Sequence, residues 1–137
     1  MGKKTKIYVD TSAFIAFLDR SDTFCSLFTQ LFSDPPELIT STLVIAEGHG
    51  WFLKRYDQTR ALQFLDFIED LKILQVMAIG SNEIQEATKY LRKFSDQDLT
   101  LADAWGLWVM ERCHAPICWS TDRHLGLTGI PLAIHSH

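Results

Sequence analysis

Short β-favouring runs alternate with helix-period apolar stripes along this sequence, and that alternation limits the available folds more than any other feature. Residues 7–9, 38–40, 73–79 and 117–119 read as strands, with 131–134 as a candidate fifth. Between them lie helices with recognisable starts. Thr11 and Ser12 offer cap chemistry for a helix carrying Phe14, Ile15, Phe17 and Leu18. Ser21-Asp22 opens a second, which Asp34-Pro35-Pro36 stops. Ser41 or Thr42 caps a third running to about Arg55, Asp57 a fourth, Ser81 a fifth and Thr100 a sixth. Strands alternating with helices predict an α/β fold: a three-layer α/β/α arrangement around a mostly parallel, roughly five-stranded sheet.

That architecture directs attention to particular carboxylates. In open parallel sheets the binding crevice lies outside the carboxyl ends of the strands, where strand order reverses. Asp10 and Asp122 each follow a predicted strand, so both should reach the crevice. Glu47 lies early in the third helix, after the apolar run Leu43-Val44-Ile45-Ala46, which predicts a position near the core face. Asp103 falls in the first turn of the sixth helix, where the positive end of the helix favours an anion.

Each acid also has an ordinary structural use. Asp10 and Asp122 can cap the segments that follow them. Thr100-Leu101-Ala102-Asp103 has the form of a capping box with Asp in the Glu position. A buried Glu47 needs a partner, which a metal or an Arg could provide. The functional case rests on the set. Carboxylates gathered together repel one another unless a cation neutralises them. Hard oxygen ligands without a Cys or His cluster suit Mg²⁺ or Mn²⁺ rather than zinc. Such a centre fits phosphodiester cleavage, with RNA as the expected substrate. No phosphate-cradling glycine loop competes.

Composition sets the remaining bounds. The chain has 137 residues, which suits one domain over 1–137. Its net charge of -4 argues against non-specific gripping of nucleic acid, yet leaves room for a basic rim. Cys25, Cys113 and Cys118 form no metal-ligand spacing with a second pair and read as buried free thiols of a reducing, cytoplasmic protein. The basic start, Met-Gly-Lys-Lys-Thr-Lys, runs straight into the first strand and does not read as a signal peptide. No apolar stretch approaches membrane-spanning length.

Taken in order, Tyr8-Val9-Asp10-Thr11-Ser12, Val44-Ile45-Ala46-Glu47, Asp98-Leu99-Thr100-Leu101-Ala102-Asp103 and Ser120-Thr121-Asp122-Arg123-His124 resemble the landmarks of PIN-domain ribonucleases. The likeness extends in particular to the toxins of VapBC-type bacterial toxin–antitoxin pairs, and covers essentially the full length. It implies a PIN-like domain, RNA cleavage dependent on Mg²⁺ or Mn²⁺, dimerisation, and an antitoxin that blocks the crevice. Asp10, Glu47, Asp103 and Asp122 would then be the metal-binding acids. Asp98 would be an accessory acid, and Ser12 and Ser120 would supply hydroxyls that orient carboxylates or water. Gly48-His49-Gly50 departs from a good helix former and allows close packing or a bend.

Arg123, beside Asp122, is the cation best placed for a phosphate. Lys54, Arg55 and Arg60 gather at the junction of the third and fourth helices, where a solvated helix face is the plainer reading. His49 and His124 are expected to pack or hydrogen-bond rather than ligate a metal. Phe24, Phe28, Phe32 and Phe52 exceed what a small core needs, which predicts an apolar interface for a second copy or an antitoxin. Two alternatives stand beside the nuclease: a non-catalytic PIN-like scaffold that binds RNA or a partner, and an aspartate-based phosphotransfer domain. The second lacks the further Asp expected two residues after Asp10.

Overall fold

A computed structural model describes residues 6–135. The N-terminal residues 1–5, on which the signal-peptide expectation bears, and residues 136–137 lie outside that range. Four parallel strands form one sheet in the order β3-β2-β1-β4: β1 is Ile7–Val9, β2 Leu38–Ser41, β3 Leu74–Met77 and β4 Cys118–Trp119. Tyr8 pairs with Ile39 on one side and Cys118 on the other, so β1 is a central strand. Its Tyr8 and Val9 are accordingly fully buried.

The order of the connections decides the layers. Helices α1 (Thr11–Leu18) and α2 (Cys25–Ser33) carry the chain from β1 to β2; α3 (Thr42–Arg55) and α4 (Gln58–Asp70) carry it on to β3. Both crossovers move in one direction and, being right-handed, lie on one face. From β3 the chain must return past β2 and β1 to reach β4. Its helices α5 (Ser81–Lys93) and α6 (Leu101–Cys113) therefore cover the opposite face. Strand order thus reverses at the β1–β4 junction, where parallel sheets open their crevice.

The expected fifth strand is a single bridge, Cys118 to Leu132. Cys118 N–H donates to the Pro131 carbonyl at 2.9 Å. Pro131 has no N–H with which to continue a ladder. The chain instead tightens into a 3-10 turn at Ala133–His135.

The aromatic excess also has a different destination from the one expected. Phe28, Phe32 and Phe52 are buried in the core rather than presented to a partner. Phe14, Phe32, Phe67 and Trp119 form a chain of ring contacts between α1, α2, α4 and β4. Rings in edge-to-face and offset contact fill this side of the core. Of the three free cysteines, only Cys118 is buried.

Glycine allows the helices to approach. A Cβ on Gly48 would run into the Phe64 ring, so α3 meets α4 closely there, whereas Gly50 faces open space. A Cβ on Gly106 would lie 2.8 Å from the Tyr8 ring and 2.9 Å from Leu125, so α6 rests directly on β1. Among the described residues no helix is long and apolar enough to cross a membrane.

Candidate active site

The strand ends at the β1–β4 junction open into a pocket of about 270 Å³. Its acidic lining residues are Asp10, Glu47, Asp103 and Asp122, and Thr11, Ser12, Ile15, Trp51 and Thr100 complete it. The four acids singled out in the sequence therefore share one cavity, although they come from four different parts of the chain. Among the described residues no Lys or Arg lines it.

The structural uses foreseen for these acids are also realised. Asp10 caps α1, accepting from the Ser12 amide. Asp122 caps the 3-10 turn Arg123–Gly126, accepting from the His124 amide at 3.0 Å. Asp103 and Thr100 form the reciprocal capping box: Thr100 N–H donates to Asp103 Oδ2 at 3.1 Å, and Asp103 N–H to Thr100 Oγ1 at 3.1 Å. Capping and convergence have one cause. A helix starting at a strand's carboxyl end places its cap residue at the crevice, so the side chain that fixes the helix also lines the pocket.

Two serines clamp Asp10. Ser12 Oγ donates to Asp10 Oδ2 at 2.8 Å and Ser120 Oγ to the same oxygen at 3.1 Å. Each hydroxyl has one proton, so donation to Asp10 leaves both as acceptors. Their lone pairs receive backbone protons from the segment after β4: Thr121 N–H to Ser12 and Asp122 N–H to Ser120, both at 2.9 Å. The two hydroxyls tie the end of β4 to the end of β1.

Glu47 departs from expectation. It is exposed at the rim rather than drawn into the core, because α3 buries Val44, Gly48 and Phe52 at four-residue spacing. Glu47 and Trp51 occupy the neighbouring stripe, which faces the pocket. Across the α1–α3 contact, the buried Thr11 hydroxyl donates to Glu47 Oε1. Sequence reasoning did not single out Thr11, Trp51 or Thr100 as site residues. Trp51 stands one helical turn after Glu47, a spacing that could have revealed it.

Asp98 and Arg123 are exposed and do not line the pocket. His49, on the half-buried side of α3, is also absent from the lining. His124 is nearer: its Nδ1 lies 3.0 Å from Asp122 Oδ1. Asp103, Asp122 and His124 each offer a ligand-type atom within 4.8 Å of the others.

Electrostatics distinguishes Asp10, Glu47 and Asp103 from ordinary surface acids. Burial, offset in part by the Ser12 and Ser120 hydroxyls and reinforced by Asp103, raises the Asp10 pKa to about 6. Glu47 is raised by partial burial and by Asp10 and Asp122, against the Thr11 hydrogen bond. Asp103 is raised by burial and by Asp122 and Glu47, against its bonds to Thr100. Crowded acids whose ionisation is opposed, with no Lys or Arg in the lining among the described residues, fit a hard divalent cation as the neutralising partner.

The fold is found in other proteins. VapC20 of Mycobacterium tuberculosis, described as a sarcin-ricin loop cleaving toxin, superposes with a TM-score of 0.82 at 20% identity, covering 90% of this chain and 95% of that one. A toxin–antitoxin complex from Klebsiella pneumoniae gives a TM-score of 0.61 at 16% identity over 93% and 95% of the two chains. PAE2754 of Pyrobaculum aerophilum gives 0.63 at 19% identity over 88% and 82%. No curated protein matches the sequence. The family model for the PIN domain matches residues 7–129, a span that contains all four pocket acids and both serines. This chain belongs to the PIN-domain family.

Proposed function

We propose that this protein is a metal-dependent endoribonuclease that hydrolyses RNA phosphodiester bonds, and that it acts as the toxin of a type II toxin–antitoxin pair. The observation that carries the reading is four carboxylates around one pocket that no Lys or Arg lines among the described residues. Asp10, Glu47, Asp103 and Asp122 would hold Mg²⁺ or Mn²⁺, with His124 beside Asp122. A bound divalent ion supplies Lewis acidity: it makes water a better nucleophile near neutral pH and offsets charge gathering on the phosphate.

The chain's own part is preorganisation. Ser12 and Ser120 fix one oxygen of Asp10, Thr11 fixes one oxygen of Glu47, and the Thr100 amide fixes one oxygen of Asp103. Each acid is thereby oriented before any ligand arrives, so little reorganisation is needed at the moment of reaction. Trp51 and Ile15 line the pocket with apolar surface and limit water around the acids. Arg123, exposed next to Asp122, would meet a substrate phosphate, and Asp98 would act from outside the pocket as an accessory acid.

Family membership supports the nuclease reading, and the likeness to VapC20 and to a toxin–antitoxin complex supports the toxin role. A protein antitoxin covering the crevice, a homodimer and a cytoplasmic location complete the proposal. Exposed Leu53 and Leu62 on α3 and α4 offer apolar surface to such a partner.

Purified protein should cut RNA with Mg²⁺ or Mn²⁺ and stop in EDTA. Combining Asp10→Asn with Asp103→Asn should remove cleavage, and full activity in that double variant would refute the mechanism. The toxin role has its own test. Induced expression should arrest growth, and co-expression of a protein encoded beside this gene should restore it. Normal growth despite active enzyme would remove the toxin role and leave the nuclease.

A further inference from the structure

The seam between α1 and α3 does not end at the acidic pocket. Ile15 and Trp51 line that pocket; further along the same two helices, Leu18 and Phe52 line a second and larger cavity of about 690 Å³. Arg20 and Arg60 line it as well. Arg55 is not in the lining but reaches Tyr56, which is: its guanidinium lies 5.2 Å from the centre of the Tyr56 ring, while that of Arg60 lies 4.5 Å from the same ring. From Glu47 to Tyr56 the helix rises roughly 13 Å.

The guanidinium groups are organised rather than merely solvated. Tyr56 holds two of them by cation–π contact and is itself anchored, its hydroxyl donating to Asp19 at 2.9 Å. Arg60 Nη2 also donates to the Leu18 carbonyl at 3.1 Å. Among the described residues, none of Arg20, Arg55 or Arg60 is in an ion pair with a carboxylate. Two acids are close: Asp57 caps α4, and Asp19 accepts from the Ser21 amide and hydroxyl as well as from Tyr56. Those donors occupy only Oδ1 of Asp19, which also lines the cavity. Against burial, its bonds to Ser21 and Tyr56 and the nearby Arg55 charge hold its carboxyl below the usual pKa; even so, three arginines outnumber the two acids.

Planar guanidiniums that outnumber the carboxylates beside them are suited to phosphate. We infer that this cavity is a phosphate-binding subsite for the RNA strand, taking a backbone phosphate a few nucleotides away from the one in the acidic pocket. The inference rests on the RNA-cleavage reading above. It assigns a role to the Arg55–Arg60 cluster at the α3–α4 junction. The net negative charge of the chain makes a localised cationic groove more significant, because an RNA strand would be attracted here and repelled over most of the surface.

Fluorescence anisotropy in EDTA reads RNA binding without turnover, using a labelled single-stranded RNA long enough to span both cavities and a dinucleotide-length control. Arg20→Gln with Arg55→Gln should weaken binding of the long strand about tenfold or more and reduce its salt slope by about 0.7, the value for one phosphate contact on a single strand. The control should bind variant and wild type alike. Both residues are exposed and accept substitution without unfolding; Arg60→Gln, checked by its melting temperature, is the second variant. If wild type cuts RNA but both variants bind the long strand with unchanged affinity and salt slope, the subsite is disproved. The groove would then be open to an acidic protein segment, and the nuclease reading would stand. If wild type neither binds nor cuts RNA, the nuclease reading itself falls and the subsite with it.

Discussion

Because Asp10 is almost wholly buried, its proton is held more tightly in the folded chain than in the unfolded one. The folded-state pKa of about 6 lies above the ordinary value of 3.8. Folding therefore takes up a proton between those values, and stability falls as pH rises through that window. The favourable term is complete below pH ~4 and lost above pH ~6, a change of about 3 kcal/mol. Asp10→Asn removes the titration but keeps an acceptor for the serine hydroxyls. Metal-free Asp10→Asn should therefore be more stable than wild type by about 3 kcal/mol at pH 7.5 and roughly equal to it at pH 4. Urea melts in EDTA would read this, and a variant less stable at pH 7.5 would contradict the burial argument. Thr11 makes a separate point. Its hydroxyl connects α1 to Glu47 on α3, while Val has nearly the same shape. Thr11→Val should fold normally and lose about tenfold in RNA cleavage, and Thr11→Ser should recover most of it. Equal activity in the Val variant would show that Glu47 needs no such support.

At the scale of elements, the site depends on how closely α6 approaches β1. Asp103 lies in the first turn of α6 and Asp10 directly follows β1, so the depth at which α6 sits sets how near those carboxylates come. Gly106, one turn after Asp103, provides that depth by meeting Tyr8 and Leu125 directly. Gly106→Ala adds helix propensity worth about 1 kcal/mol but overpacks a rigid interface at a cost of about 1–3 kcal/mol. The net effect should be a lower melting temperature together with weaker activity, since α6 must move outward. Gly50→Ala is the control: its Cβ meets nothing, so propensity alone should act and the melting temperature should rise. An equal rise in both variants would mean that α6 has room to spare.

At the scale of the molecule, a sheet with a reversal in strand order concentrates negative charge that folding alone does not relieve. Asp10, Glu47 and Asp103 are all shifted towards their protonated forms by burial and by one another. A divalent ion that binds only the folded chain should therefore stabilise it, by about 2.7 kcal/mol at a concentration a hundred times its dissociation constant. Calorimetric scans at pH 7.5 should show the melting temperature rising with Mn²⁺ and returning to its starting value with EDTA. The rise should be much smaller in Asp10→Asn. A melting temperature indifferent to Mn²⁺ would count against the pocket as a metal centre, whatever the activity.

Much of this was legible along the chain. The alternation of β runs with capped helices determined a parallel α/β sheet, because local periodicity and capping act within a few residues. It also placed Asp10 and Asp122 at strand ends and Asp103 in a capping box. What it could not determine were quantities that depend on contacts between distant segments. The fate of residues 131–134 turned on Pro131 meeting Cys118. The burial of Phe28, Phe32 and Phe52 turned on their meeting Trp119 and Phe64 from distant parts of the chain. The exposure of Glu47 turned on which stripe of α3 faces α4. The meeting of the four acids was an expectation until strand order placed the reversal between β1 and β4. Sequence chose the elements because their causes are local; only the packed chain chose which side chains face one another, because a pocket is made by segments that one-dimensional order keeps apart.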